Sequence, residues 1–269
     1  MKQTINEIYA MSPLIMNEIN CFEKIKEKSK ENENERDSEN MYFFPIASYK
    51  IIKRENYNKP FVFITRINRP YYTFSSYFYS NRYYVDIIET YKEMLEMLKL
   101  LHSLGVVYNG FGILNESAIR IDKKTKKAFL HNFQHSFEFV VGGCDAKAIV
   151  SSFAEVKDIP SPFYIFLYLI KNNISVFREI DRQTLSSITD FDFELELLVG
   201  LSAENVFVEL RKKAFSLDVS QLTHIYLNLC NSIKKENRHF EKFVDILKSI
   251  VHFGLSADES LERLDHIIE

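Results

Sequence analysis

Glycine is the residue this 269-residue chain most conspicuously lacks: only 7 occur, and the first is Gly105. A loop whose backbone N–H groups close over nucleotide phosphates depends on glycine, because side chains block the approach. The first 104 residues therefore hold no such loop. Tryptophan is absent altogether, and cysteine is limited to Cys21, Cys144 and Cys230, an odd number, widely spaced and without a CxxC pair. That pattern speaks against a disulfide framework and fits reduced thiols in an intracellular protein. Long apolar runs are missing too. The longest, Pro162 to Ile170, is about half of what a bilayer-spanning helix needs, and the polar-interrupted N-terminus has no signal-peptide core. A protein of the cytoplasm or nucleus, with no membrane partner, is expected. An excess of either charge is also lacking: Lys+Arg 34 against Asp+Glu 37 leaves a net charge of −3. Such a balance offers no general attraction for nucleic acid, so none is expected as a partner.

What is present is a large apolar fraction, 46%, with 23 Phe and 15 Tyr, enough for a sizeable core. Leu14, Ile15, Ile19, Phe22 and Ile25 recur at helical spacing over residues 14–26. The following stretch to residue 40 has no hydrophobic residue and reads as a solvated loop or frayed helix end. Residues 41–67 contain two aromatic and β-branched runs around a polar turn, a β-hairpin pattern. The Tyr-rich segment 71–84 has only Arg82 as an internal cation, too few for a base-stacking platform, so packing is its expected use. From Val85 to Leu104 the apolar positions mark a strong helix, with Gly105 as its stop. A loop, a short strand at Ile119 and Ile121, a charged turn and a second strand (AFLH) follow. Helices are expected near 145–156, 162–172, 193–200, 203–214, 218–233, 239–252 and 257–268. The fold class is α+β: a strand-containing N-terminal part, residues 1–69, and a mostly helical part, residues 70–269.

This order of elements, with LHSLGVVYNGFGILNESAIRIDKKTKKAFLHNFQHSFEF at residues 101–139, resembles the protein-kinase superfamily from its regulatory helix onward. The segment matches the stretch leading from an LHS-x-G helix end through the HRD catalytic loop to DFG. The divergent kinase-like proteins of large DNA viruses are the most similar in character, and a viral chain of this kind would act in the host cytoplasm. The resemblance implies a two-lobed fold whose N-lobe is truncated and lacks the Gly-rich loop.

A kinase needs positioning and charge neutralisation at the transferring phosphoryl group, and each contributor can be sought. Glu18 falls where the helix glutamate of the strand–helix ion pair belongs, yet Lys2 is the only lysine before it and lies in no VAIK-like strand. Tyr108-Asn109-Gly110 occupies the HRD position, so glycine stands where a proton-accepting aspartate is required. Asn115 has the spacing of the metal-binding asparagine. Asn132-Phe133-Gln134 occupies the DFG position, and a neutral amide lacks the charge that makes a carboxylate the preferred Mg²⁺ ligand. Asp218 matches the aspartate that braces the catalytic loop, Arg263 matches the arginine of the closing segment, and no APE motif is present.

The resemblance thus implies a pseudokinase without cofactor or metal, acting as a scaffold or allosteric module for a protein partner such as an active kinase or its substrate. The alternative is a divergent phosphotransferase or nucleotide-binding protein with a rebuilt pocket, using Glu18, Asn115 and Asn132. A third reading, a helical interaction protein, predicts no strand pair around residues 119–133. Bland readings stand beside these. His131 and His135 flank a strand end rather than sharing a helix face, so no metal is expected there. Cys144 reads as an inert thiol. Asp190, Asp192, Glu194 and Glu196 alternate with Phe191, Phe193 and Leu195 as one solvated and one buried face. The face of Phe163, Phe166, Leu167 and Ile170 reads as core, and Glu18 reads as a solvated helix acid.

Overall fold

The computed structural model describes residues 4–31, 46–53, 59–80, 84–139, 149–150, 153, 155, 158–188, 192–233 and 238–268. It is a mixed α+β structure with small antiparallel sheets. Strands β1 (Thr4–Ala10), β2 (Ile46–Ile52) and β3 (Phe61–Ile67) form the first sheet in the order β1-β3-β2, both pairs antiparallel. Val62 and Ile64 of β3 alternate onto one face and are fully buried. Helix α1 (Pro13–Glu31) supplies the matching stripe of Ile15, Ile19, Phe22 and Ile25 to the same core. The hairpin of β2 and β3 matches the aromatic and β-branched runs. Strand β1 has no such signal: TINEIYA buries little, with Ile5 and Ile8 47% and 60% exposed, so its place comes from pairing with β3 and not from burial. Helix α1 runs to Glu31, past the apolar stripe and into charged sequence.

The second sheet, β4 (Tyr71–Thr73), β6 (Ile119–Asp122) and β7 (Ala128–Leu130), is antiparallel in the order β4-β6-β7. Val106–Val107 (β5) pairs with Phe137–Glu138 (β8) in a two-stranded ladder. Between β4 and β5 lie α2 (Phe74–Ser80) and α3 (Tyr84–Ser103). Gly105, at φ 76, turns the chain out of α3, a conformation in which glycine carries no steric penalty. The Tyr-rich segment does pack: Phe74 and Phe78 lie edge-on to Tyr226 at 5.2 and 6.3 Å.

The C-terminal helices are α5 (Ser161–Lys171), α6 (Glu179–Ser186), α7 (Asp192–Glu196), α8 (Ala203–Ser232), α9 (Arg238–Phe253) and α10 (Ala257–Ile268); α4 (Gly110–Leu114) is a short helix after β5. Two departures from the sequence pattern have physical causes. The helices expected at 203–214 and 218–233 are one 30-residue helix. Its first half buries Val206, Phe207, Leu210 and Ala214 in one core and its second half buries Val219, Leu222, Ile225 and Leu229 in another, and this change of face imitates a break. Helix α6 was not expected; EIDRQTLS buries only Leu185 and leaves no periodic stripe. Helix α7 ends at Glu196, with turns to Gly200 in place of the helix expected through 200. The helix expected near 145–156 falls largely outside the described residues.

Of the core face expected on α5, Phe163 and Phe166 are fully buried while Ile170 is 37% exposed. Leu195 is buried, and Glu194 pairs with Lys213 at 3.1 Å; Asp190 and Phe191 lie outside the described residues, as does Cys144. Burial pushes the Cys230 thiol up to about 12 and raises that of Cys21 further, so neither is reactive near neutrality. No described helix is long and apolar enough to cross a membrane.

Candidate functional site

Of the residues singled out in the sequence, Glu18, Tyr108–Gly110 and Asn132–Gln134 lie near one another, around α1 and the loops flanking β6 and β7, whereas Asn115 and Arg263 lie apart. Glu18 lies on the α1 face toward the sheet and is fully buried; it is not a solvated acid. The same alternation that buries Val62 and Ile64 brings Arg66 onto this face. Arg66 donates through Nη1 to Glu18 Oε1 at 2.7 Å and through Nη2 to Oε2 at 2.8 Å, a two-pronged pairing. Its Nε donates to Glu7 Oε2 at 2.5 Å, and Tyr9 Oη donates to the same oxygen at 2.6 Å. A strand–helix ion pair therefore exists, but its cation is an arginine on β3, with a second carboxylate on β1. Burial opposes the charge on Arg66, and the hydrogen bonds and fields of Glu18 and Glu7 outweigh it, raising its pKa. Burial likewise opposes the charge of Glu7, and the bonds from Tyr9 and Arg66 win, lowering its pKa. Sequence reading missed Arg66. Its only signal was a lone cation in the otherwise apolar run FVFITRI.

The loop Tyr108–Gly110 is held from below by Asp218. Asp218 Oδ2 accepts from Tyr108 N at 2.7 Å, Oδ1 accepts from Asn109 N at 2.8 Å, and His102 Nε2 lies 3.2 Å from Oδ2. Asp218 sits in the middle of α8, not at the start of a helix. The Tyr108 ring turns inward, fully buried, against Phe111 and Phe133 at 4.7 and 5.3 Å, and its hydroxyl donates to His131 O at 2.6 Å. A methyl group at Gly110 would stand 2.5 Å from Tyr108 Cζ, 2.6 Å from Cε1 and 2.8 Å from Oη. The ring thus occupies the space into which a side chain at 110 would extend. Glycine at 110 leaves the room that the buried Tyr108 ring takes up.

Asn109, Asn115 and Asn132 all have positive φ, 52, 52 and 63°, where asparagine is the commonest substitute for glycine. Asn132 Oδ1 accepts from Gln134 N at 3.0 Å, starting the 3₁₀ turn Phe133–His135. Asn115 is exposed at the end of α4, with a 3₁₀ turn to Ala118 following. In a chain so poor in glycine, these asparagines do backbone work. Phe133 is fully buried, and Gln134 O accepts from Asn17 Nδ2 on α1 at 3.3 Å. Arg263 lies far along the chain on α10, donating to Ser249 Oγ at 3.0 Å and covering the Phe253 ring at 5.2 Å.

Further cations stand near these loops. Arg120 of β6 lies 4.9 Å from the Tyr71 ring, and Arg69 lies 5.6 Å from the Phe129 ring. His131 is partly buried beside these groups; burial first, then the fields of Arg120 and Arg66, lower its pKa below 6.5, while burial alone lowers that of His135. Neutral imidazoles are the result near pH 7. Among the described residues no three His, Cys, Asp or Glu side chains are grouped to hold a metal.

No protein-family model matches the chain, and no curated protein is detectably similar to it.

Proposed function

We propose that the protein is a catalytically inactive, protein-kinase-like binding module, with residues 1–69 as a truncated N-lobe and residues 70–269 as a helical C-lobe. One observation carries the reading: the Tyr108 ring fills the space of a side chain at position 110. Phosphoryl transfer to a hydroxyl needs a proton acceptor at that point of the loop, and here the neighbouring aromatic ring excludes one sterically. The polar network around Arg66 and Asn132 supports it further. Arg66 is committed to Glu18 and Glu7, and Asn132 to its own turn, so neither is free for a nucleotide or its metal. The strand pair β6–β7 beside the loop favours this reading over an unrelated helical protein. A scaffold for a protein partner, an active kinase or its substrate, is the role left to such a chain.

One feature favours the alternative of a nucleotide-binding protein with a rebuilt pocket. Arg120 Nε is buried without a hydrogen-bond partner, and the rest of the guanidinium is engaged only by Ile119 O at 3.5 Å and the Tyr71 ring, so this cation could meet a phosphate. Transfer of labelled phosphate from ATP, to generic protein acceptors and to the protein itself with Mg²⁺ or Mn²⁺, tests the proposal. No transfer above background is expected; turnover abolished by Asn132→Ala or Asn115→Ala would overturn it.

A further inference from the structure

The turn between β6 and β7 carries Lys123, Lys124, Lys126 and Lys127 in a chain whose net charge is −3, and all four are exposed. It is a rigid turn. Asp122 Oδ1 accepts from Lys124 N and Thr125 N at 2.7 and 2.9 Å, Lys126 N donates to Asp122 O at 2.9 Å, and Lys123 N donates to Pro70 O at 2.9 Å. Tyr72 of β4 fixes two of the ammonium groups: Lys123 Nζ lies 5.2 Å and Lys126 Nζ 4.7 Å from its ring centroid. None of the four lysines has a described carboxylate within 4 Å, whereas nine other described lysines and arginines, among them Lys24, Lys92, Lys99 and Lys248, have one. Asp122 holds the turn, and partly buried Glu93 accepts from Ala128 N at 2.8 Å and feels the charge of Lys127 from a distance.

We infer that this lysine turn is a docking surface for an acidic segment of a partner protein, rich in Asp and Glu. The inference rests on the reading of the chain as a binding module. The hydrogen-bonded backbone of the turn and the two lysines over Tyr72 lose little conformational freedom when an anionic chain lies across them, and complementary charge steers such encounters. A single-stranded nucleic acid fits less well. It needs open ring faces for stacking, and Tyr72 already lies under two lysines and against Tyr77 at 5.7 Å.

The test is fluorescence anisotropy of the whole protein with a labelled peptide of about a dozen alternating Asp and Glu residues, in parallel with a labelled oligothymidylate of equal length, at about 50 and 200 mM salt. The peptide is expected to bind, to weaken with salt, and to lose about tenfold or more in affinity in Lys123→Gln/Lys126→Asn and in Lys124→Gln/Lys127→Gln. The pair Lys212→Gln/Lys248→Gln, on other surfaces, should leave it unchanged. Absence of peptide binding, an equal loss in the control pair, or tighter binding of the oligonucleotide than of the peptide overturns the inference. None of these outcomes bears on phosphate transfer, so the inference and the inactive-kinase reading fail separately.

Discussion

At the scale of single residues, the site is built from side chains that depend on one another. Glu18 is fully buried and satisfied by one guanidinium. Removing that partner leaves a buried, uncompensated carboxylate, which costs about 3–5 kcal/mol. Arg66→Ala is therefore expected to lower stability by that amount in denaturant unfolding, and Arg66→Met with Glu18→Leu to recover much of it. Gly110 and Tyr108 form a second dependent pair. Gly110→Ala presses a methyl group into a buried ring, at a cost of about 1–3 kcal/mol, and Tyr108→Leu in the same chain should relieve most of the loss. A double-mutant cycle by thermal unfolding checks the coupling, and additive effects would contradict the packing argument. The empty position at 110 was legible in the sequence; the ring that fills its space was not, because a tyrosine's direction depends on contacts with Phe133 and the carbonyl of His131.

Among the secondary-structure elements, what could be read depended on how each one is stabilised. Helices α3, α9 and α10 bury regular apolar stripes and were legible almost to their ends, whereas α1 was legible only over its stripe and continues to Glu31 in charged sequence. Strand β1 was invisible because it is held by backbone pairing to β3 and carries exposed isoleucines. Its omission concealed Glu7 and Tyr9, half of the polar network around Arg66. The long helix α8 was read as two because it serves two cores, and Asp218 lies at the change of face, where it reaches both the Tyr108–Asn109 backbone and His102. The Tyr-rich segment was judged by the cations within it. Those that meet Tyr71 and Tyr72 come from β6 and its turn, a pairing only the sheet reveals. Acid sensitivity belongs at this scale too, since the 3₁₀ turn Phe133–His135 ends on one histidine and follows another, His131. Both bind protons less readily folded than unfolded, so their effect on stability is nil above the ordinary histidine value of 6.5 and becomes destabilising as pH falls through it. Glu7 acts later: its contribution is present above 4.5 and is lost as pH falls below that. Melting temperature should therefore decline from about pH 7 downward, and His131→Asn/His135→Asn should flatten the decline above pH 5. A slope unchanged in that variant would assign the loss to other groups.

For the whole molecule, scarcity of glycine organises the picture. The chain has no glycine with which to build a phosphate loop before Gly105; it uses asparagine at positive φ in the loops around β6 and β7, and Gly110 leaves room for a tyrosine ring. The surface facing the first sheet is occupied by the protein's own ion network, with the outward lysine turn as a separate charged feature. The measurement that tests this account most directly is the melting temperature of the intact protein titrated with ATP, with and without Mg²⁺. A ligand that binds only the folded state raises the midpoint in proportion to its occupancy. No shift is predicted up to millimolar nucleotide, on the order of cellular levels. A concentration-dependent rise that disappears in Arg120→Ala would contradict it, and would make the region around Arg120 a rebuilt nucleotide site.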